Sequence, residues 1–388
     1  MNPTPLKIVI GIPSYNEENS IGHVVRQVDL GLRKYYPFAK SLIVNVDSDS
    51  QDDTRKVFLK TKTFTTKKYL NTGEKFRGKG KNLIELFKYC NRLDIDFIAV
   101  FDSDIKSIKP SWIYSLLNPL VSQKFDYTIP VYSRGCYDGN VTNNFACPLT
   151  YAIFSESIQQ PIGGDYGLNK CLYKYILKQR SSDAVLGFGI DIFLTYHALG
   201  GGFRICEAYL GKKKHKPGFS TLMEKFMQFS QVAIEVSRIY KDKLVNVKPV
   251  RKYKSILVTK TRNRPDEKIV SARLEQCKIE FQNNLQLYNE YLGKKLTGKI
   301  AKTVLIKNKS VLSSIDWIRA LASFLNICYE KKFKIESTPK ICDLIGPIFF
   351  WRVISFWEEI KNLDPAEINR KISTQGELLK NQLAIKSI

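Results

Sequence analysis

The stretch AVFDSDIKS, residues 99–107, decides how the first half of the chain is read. Its two carboxylates, Asp102 and Asp104, follow the apolar run FIAVF (97–101), which has the composition of a buried β-strand. In an extended chain alternate side chains face the same way. Asp102 and Asp104 should therefore sit together at the strand's carboxyl end, where they repel each other unless a positive group joins them. A solvated turn, a divalent-cation site with hard oxygen ligands, and a general acid or base are all compatible with such a pair.

The segments on either side show two alternating periods. KIVIGIP (7–13) reads as a strand, and Asn19 or Ser20 then caps a helix with apolar positions at Ile21, Val24, Val25, Val28 and Leu32. SLIVNVD (41–47) is a second strand, followed by a helix from near Gln51. NLIELFKYC (82–90) has helical spacing, DFIAVFDSD (96–104) returns to strand, and DYTIPVYS (126–133) is another. This alternation predicts an α/β fold with a parallel sheet between two helical layers. Ligands bind such sheets beyond the carboxyl ends of the strands, which is where PSYNEE, DSDSQDDT and DSD lie.

Beyond about residue 220 the pattern changes. TLMEKFMQFSQVAIEVSRIY and DWIRALASFLNICYE read as helices, with Trp317, Leu321, Phe324 and Cys328 forming a core stripe. The expected organisation is a catalytic domain over 1–220 and a mainly helical C-terminal region over 221–388, with a basic arm near 241–270. ICDLIGPIFFWRVISFW (341–357) contains Asp343, Pro347 and Arg352 and is too short for a membrane span. It suits a buried helix or one lying on a membrane surface.

A net charge of +24, from 61 Lys and Arg against 37 Asp and Glu, favours anionic partners. Nucleotides, phosphorylated metabolites, nucleic acid and an acidic membrane surface all qualify. No RNP-like segment, zinc finger or aromatic-basic repeat supports nucleic acid, so none is expected as a partner. Eight cysteines without a CxxC pair suggest reduced thiols and a cytoplasmic protein, and the N-terminus does not resemble a signal peptide. A homo-oligomer and a peripheral membrane contact stay open.

Four segments, IPSYNEE (12–18), VDSDSQDDT (46–54), FRGKGKN (76–82) and FDSD (101–104), appear in an order and spacing that resembles the nucleotide-binding half of GT-A glycosyltransferases. Three more, QQPIGGDYG (159–167), GFGIDIFLTYHALGGGF (187–203) and YLGKKKHKPG (209–218), are similar to the retaining subgroup that makes mannosylglycerate, glucosylglycerate or glucosyl-3-phosphoglycerate. The resemblance implies a GT-A fold, a Rossmann-like mixed sheet flanked by helices. It also implies metal-dependent, retaining transfer of a hexose from a nucleotide sugar, GDP-mannose or UDP-glucose. The acceptor would be a small hydroxy acid such as glycerate or 3-phosphoglycerate. A lipid phosphate or protein acceptor is the competing enzymatic reading, and a basic nucleic-acid-binding protein is the rival from another class.

Carried over residue by residue, Pro13, Tyr15, Glu17, Asp47 and Ser48 line the nucleotide site, with Lys79 reaching the pyrophosphate or a uracil-like edge of the base. Asp102 and Ser103 also belong to the donor site, and Asp102, Asp104 and His215 hold Mg²⁺ or Mn²⁺. Gly163, Gly164 and Asp165 lie by the sugar and acceptor, Arg134 and Thr142 grip the acceptor carboxylate, and Asp191 stands at the reacting centre. The phosphoglycerate-using members carry an arginine where this chain has Asn140, which leaves glycerate or another small acid open.

Several residues also have readings independent of the resemblance. A nucleotide diphosphate beside two aspartates calls for a divalent cation. The glycines of RGKGK allow the backbone to approach a ligand. Asp191, among apolar residues, needs a partner or a task, and N-capping the following helix is its structural alternative. His197 reads as a packing residue, and His215 would otherwise belong to a solvated basic loop.

Overall fold

The structure, a computed structural model, describes residues 5–73, 77–122, 124–214, 219–242, 251–252, 258–259, 265–306 and 312–383. Among the described residues nine strands form: β1 (Lys7–Ser14), β2 (Lys40–Asp47), β3 (Thr66–Asn71), β4 (Phe97–Val100), β5 (Tyr127–Gly135), β6 (Tyr166–Asn169), β7 (Ile205–Lys212), β8 (Arg251–Lys252) and β9 (Val258–Thr259). The sheet order is β3-β2-β1-β4-β6-β5-β7-β8, and β9 pairs with β5. Strand β6 runs antiparallel to both β4 and β5, while the other pairings are parallel, so the sheet is mixed.

The helices, in chain order, are α1 (Ile21–Tyr35), α2 (Thr54–Lys60), α3 (Lys79–Arg92), α4 (Pro110–Ser122), α5 (Cys147–Phe154), α6 (Lys170–Ile176) and α7 (Ile190–Gly200). They continue as α8 (Leu222–Tyr240), α9 (Glu267–Asn283), α10 (Leu285–Leu292), α11 (Lys294–Ala301), α12 (Ser314–Tyr329), α13 (Thr338–Ile360) and α14 (Pro365–Gln382). No helix among the described residues is long and apolar enough to cross a membrane.

The chain divides into two compact units. The first comprises Met1–Ser133, Ile162–Pro217 and Asn246–Ile256, and the second Arg134–Pro161, Gly218–Val245 and Leu257–Ile388. The division therefore differs from a single boundary near 220: residues 134–161 belong to the second unit. Strand β5 ends there, and a π-helical turn (Thr142–Ala146) leads into α5, which packs on α14.

In the first unit β1 is buried on both faces, as a central parallel strand must be. Ile8, Ile10 and Ile12 join one core with Val24, Val25 and Val28 of α1 and with Ile113 and Leu116 of α4. Gly11 turns the other way, under Leu86 of α3. Strand β4 stops at Val100, so Asp102 and Asp104 lie in the turns that follow rather than on an extended strand. Strand β3 runs through a basic, half-exposed stretch without apolar alternation, so the sequence pattern does not show it.

The second unit is mainly helical. The core stripe on α12 is buried, and Trp317 donates its Nε1–H to the Asn144 carbonyl at 3.0 Å. Phe226 of α8 stacks on Phe349 of α13 with ring centroids 3.7 Å apart. Helix α13 contains the apolar run 341–357 and is buried along most of its length. Much of the expected basic arm, 241–270, lies outside the described residues.

Candidate active site

The carboxyl ends of β1, β2 and β4 in the first unit carry the polar clusters, and one residue organises them. Asp102 has a lysine on each carboxylate oxygen: Lys79 Nζ is 2.8 Å from Oδ1 and Lys213 Nζ is 2.9 Å from Oδ2. These are the positive groups that the DSD stretch requires. Lys79 also donates to the Gly164 carbonyl at 2.6 Å and lies 3.4 Å from Asp191 Oδ1. Lys213 pairs with Asp165 Oδ2 at 2.7 Å and reaches the Gly163 carbonyl at 3.4 Å. Each ammonium sits over a tyrosine ring, Lys79 5.5 Å from Tyr166 and Lys213 5.0 Å from Tyr132. These rings add cation–π attraction in a poorly solvated site.

The charges shape one another. Burial opposes ionisation of Asp102, yet Lys213 and Lys79 hold its carboxyl well below the usual range. Burial likewise works against the Lys79 ammonium, and Asp102, Asp191 and Asp165 together raise it above the ordinary lysine value. Lys213 is raised in the same way, against burial, by Asp102 and Asp165. Burial and the neighbouring Asp102 charge push Asp165 up, against the pull of Lys213.

Asp165 is completely buried. Its Oδ1 accepts the backbone N–H of Asp102 at 2.8 Å, and its Oδ2 accepts from Tyr132 and Lys213. It thus supports the Asp102 backbone and holds Lys213 beside it. Gly164, beside it, has φ +93°, and a Cβ there would lie 2.8 Å from Asp102 Oδ2. Glycine is required at this position by both conformation and space.

Asp191 lies in the first turn of α7, and the N-cap residue is Gly189. It therefore does not cap the helix by position. Its Oδ1 is buried and receives no hydrogen bond among the described residues, with Lys79 its nearest ion-pair partner. Burial, with the Asp191 carboxylate alongside, pushes the Tyr166 phenol well above its ordinary value.

The GKG segment works differently from the sequence expectation. A Cβ on Gly78 would lie 2.3 Å from the Leu186 carbonyl, and one on Gly80 only 1.8 Å from that of Val185. These glycines admit the backbone of residues 185–187 against the start of α3 rather than a ligand. Their packing aims Lys79 inward.

The loops after β1 and β2 form a second polar network. Asp47 accepts from Ser14 Oγ at 2.7 Å, Ser50 N at 2.9 Å, Ser50 Oγ at 2.6 Å and Tyr69 OH at 2.8 Å. Ser48 donates to Asn82 Oδ1 at 3.0 Å, and Thr72 donates to the same oxygen at 2.9 Å. Pro13, Asp47, Ser48 and Ser103 are all buried. Glu17 donates its backbone N–H to Thr54 at 2.6 Å and accepts from Ser20 at 2.7 Å. Tyr15 is 41% exposed, and Arg77 lies 5.1 Å from its ring centroid while donating to its hydroxyl at 3.0 Å. Of the nucleotide-site candidates, Tyr15 is thus the exposed face, and Pro13, Asp47 and Ser48 brace it.

In the second unit, Arg134 donates from Nη1 to the Thr142 hydroxyl at 3.1 Å. Asn140 accepts from Trp357 Nε1 at 2.9 Å. His197 packs edge-on to Phe193 in the first unit, and burial lowers it to about 4. His215 lies outside the described residues, as do the three residues that follow it.

Sequence reasoning did not single out Lys213, although the run KKK after a predicted strand held it. The reason is a β-bulge. Val131 pairs with Tyr209 and Tyr132 with Gly211, so Leu210 is an extra residue, and Gly211 has φ +85°. A bulge resets strand alternation, so which of Lys212, Lys213 and Lys214 turns inward is not readable from spacing.

Residues 9–176 match the profile of glycosyl transferase family 2. The matched segment is similar to glycosyl transferase family 2 domains. It contributes Lys79, Asp102 and Asp165 to the cluster, whereas Asp191 and Lys213 come from beyond it. Glucosyl-3-phosphoglycerate synthase of Petrotoga mobilis is 30% identical over 202 residues, covering 48% of this chain. The chain spans 59% of the length of that curated relative.

Two solved structures share the fold. Glucosyl-3-phosphoglycerate synthase from Mycobacterium tuberculosis, in complex with Mn²⁺, uridine diphosphate and phosphoglyceric acid, is 20% identical with a TM-score of 0.50. The match covers 60% of this chain and 78% of that one. The same enzyme with Mg²⁺ and uridine diphosphate is 21% identical with a TM-score of 0.50, covering 60% and 79%. The α/β expectation of a GT-A-like mixed sheet flanked by helices, with a helical C-terminal region, is met.

Proposed function

We propose that this chain is a divalent-cation-dependent, retaining glycosyltransferase that moves glucose from UDP-glucose to a small anionic hydroxy acid, 3-phosphoglycerate or glycerate. The observation that carries this reading is the lysine-bracketed Asp102 at the carboxyl end of the sheet, with Asp191 Oδ1 receiving no hydrogen bond among the described residues. The donor, acceptor and metal are supported by the curated relative's name and by the ligands of the enzyme that shares the fold.

The residues suit Mg²⁺ or Mn²⁺. Asp102 and Asp104 are two hard carboxylates two residues apart. Such ions are bound through one or two carboxylates, with water and substrate phosphates completing the shell. Among the described residues the cluster is also unbalanced, three carboxylates (Asp102, Asp165, Asp191) against two ammoniums (Lys79, Lys213). Among the described residues no group of three or more His, Cys, Asp or Glu could hold an ion alone. His215 is the candidate third ligand. When bound, the cation supplies Lewis-acid charge to the departing diphosphate.

The protein's own groups do the rest. The Lys79 ammonium, fixed by Asp102 and the Gly164 carbonyl, donates to a diphosphate oxygen as charge develops there. Asp191 Oδ1 accepts a hydrogen bond from an acceptor or sugar hydroxyl, and its retained negative charge stabilises positive charge at the anomeric carbon. Tyr15 and Arg77 present a flat face for the base.

The acceptor stands between two acids for a stated reason. Asn140, where phosphoglycerate-using members carry arginine, is already engaged by Trp357. Incubation of the protein with UDP-glucose, Mn²⁺ and either acid tests the reading, with the product followed by mass spectrometry and its anomeric configuration by NMR. The expected product is α-linked, is absent with excess chelator, and is absent with Asp104→Ala. No glucosylated product and no UDP release with either acid would overturn the proposal; turnover of GDP-mannose in place of UDP-glucose would overturn its donor.

A further inference from the structure

Lys213, like Lys79, is surrounded by oxygens as a metal ion would be. Its ammonium, on a side chain only 11% exposed, has three oxygens around it: Asp102 Oδ2 at 2.9 Å, Asp165 Oδ2 at 2.7 Å and the Gly163 carbonyl at 3.4 Å. With Lys79 on Asp102 Oδ1, neither oxygen of that carboxylate is left without a cation. A divalent ion ligated by Asp102 would therefore meet one or two ammoniums at close range, in a site where water screens charge poorly.

The backbone around Lys213 is anchored to the loop that carries the aspartates. Lys214 donates its N–H to Ser107 Oγ at 2.8 Å, and Lys106 donates its N–H to the Lys214 carbonyl at 2.9 Å. Lys213 therefore stays beside the DSD loop while its long side chain retains freedom to change partners. A diphosphate arriving at Asp102 offers the ammonium new oxygens at the same moment that it offers oxygens to a metal ion.

We propose that Lys213 is a resident cation of the donor site: it fills the position beside Asp102 and Asp165, keeps divalent metal out of the ligand-free protein, and moves to the diphosphate when a nucleoside diphosphate binds. Metal and nucleotide then bind together rather than independently, and each strengthens the other by the same factor. Lys213 is in this sense a positioning residue for both. The inference rests on the metal-dependent reading of the site given above.

The test is Mn²⁺ binding, followed by the EPR signal of free Mn²⁺, with and without UDP. Wild type is compared with Lys213→Met and with Lys213→Gln, which keeps a hydrogen-bond donor for Asp165 and is the safer variant for folding; circular dichroism checks both. Without nucleotide, the charge-removed variants should bind Mn²⁺ at least about tenfold more tightly than wild type, and the enhancement by UDP should shrink by a similar factor. Lys213→Arg should keep the low nucleotide-free affinity of wild type. A folded Gln or Met variant with unchanged or weaker Mn²⁺ affinity overturns the role of Lys213 while leaving metal dependence intact. A wild type that binds no Mn²⁺ even with UDP overturns both proposals.

Discussion

Each unit buries a cluster of charges, and the two clusters differ in one respect. In the second unit the Arg352 guanidinium, on a side chain 1% exposed, is bidentate to Glu359, at 2.6 and 3.1 Å. Its Nε reaches Gln375 at 3.1 Å and Nη1 the Leu312 carbonyl at 3.0 Å. Lys371 adds a contact to Glu359 at 3.2 Å. Two cations meet one carboxylate, and the Arg352 fork satisfies Glu359 with two parallel hydrogen bonds. Among the described residues, the Asp102 cluster of the first unit has the opposite imbalance: three carboxylates meet two ammoniums, and Asp191 Oδ1 receives no hydrogen bond. Gln375 and Lys371 of α14 tie the second unit's network to α13; a buried cluster with excess acid is a candidate ligand site.

Substitutions that exchange these roles would break the comparison. Asp102→Asn should lower glucosyl transfer by about 10³-fold while the fold survives, read from steady-state rates and circular dichroism. If the variant instead retains its rate and merely unfolds earlier, the first cluster is structural like the second. Arg352→Met should behave in the opposite way, destabilising the protein by ~3 kcal/mol because it leaves Glu359 buried beside Lys371 alone. Denaturant unfolding monitored by tryptophan fluorescence measures this, since Trp351 and Trp357 lie on the same helix as Arg352. Its transfer rate per folded molecule should stay within about twofold of wild type.

The smallest effect concerns pH. Burial opposes the Glu359 carboxylate, but Arg352 and Lys371 pull it below the ordinary glutamate value. A depressed acid contributes stability above its unfolded pKa and loses it as pH falls through the folded one. The stability difference between wild type and Glu359→Gln should therefore be full at neutral pH and shrink below about pH 4. A difference that grows on acidification would mean that Glu359 is not held ionised by its partners.

Much of this was legible in the chain. The alternation from KIVIGIP to DYTIPVYS announced an α/β sheet because central strands are apolar on both faces and helices on one. DSD and GID stood out because acids next to apolar strands and helices need partners, and GGD stood out through the resemblance alone. Strand β3 was hidden, since an edge strand with mixed polar residues has no alternation to read. The roles within the site were hidden too. Asp165 and Asp47 look like ligand contacts in sequence, yet both are consumed by protein donors, which only packing reveals.

The sequence by itself determined the strand–helix order, the placing of acids and lysines at strand ends, and the resemblance that named the donor chemistry. These depend on local period and on residue type. Only the tertiary structure decided which lysine meets which acid. Lys79 turns inward because Gly78 and Gly80 let α3 close on residues 185–187, and Lys213 follows a bulge that shifts its strand by one residue. Residues 111 positions apart in the chain, Asp102 and Lys213, share one ion pair. That distance is set by packing, a global property that no local pattern encodes.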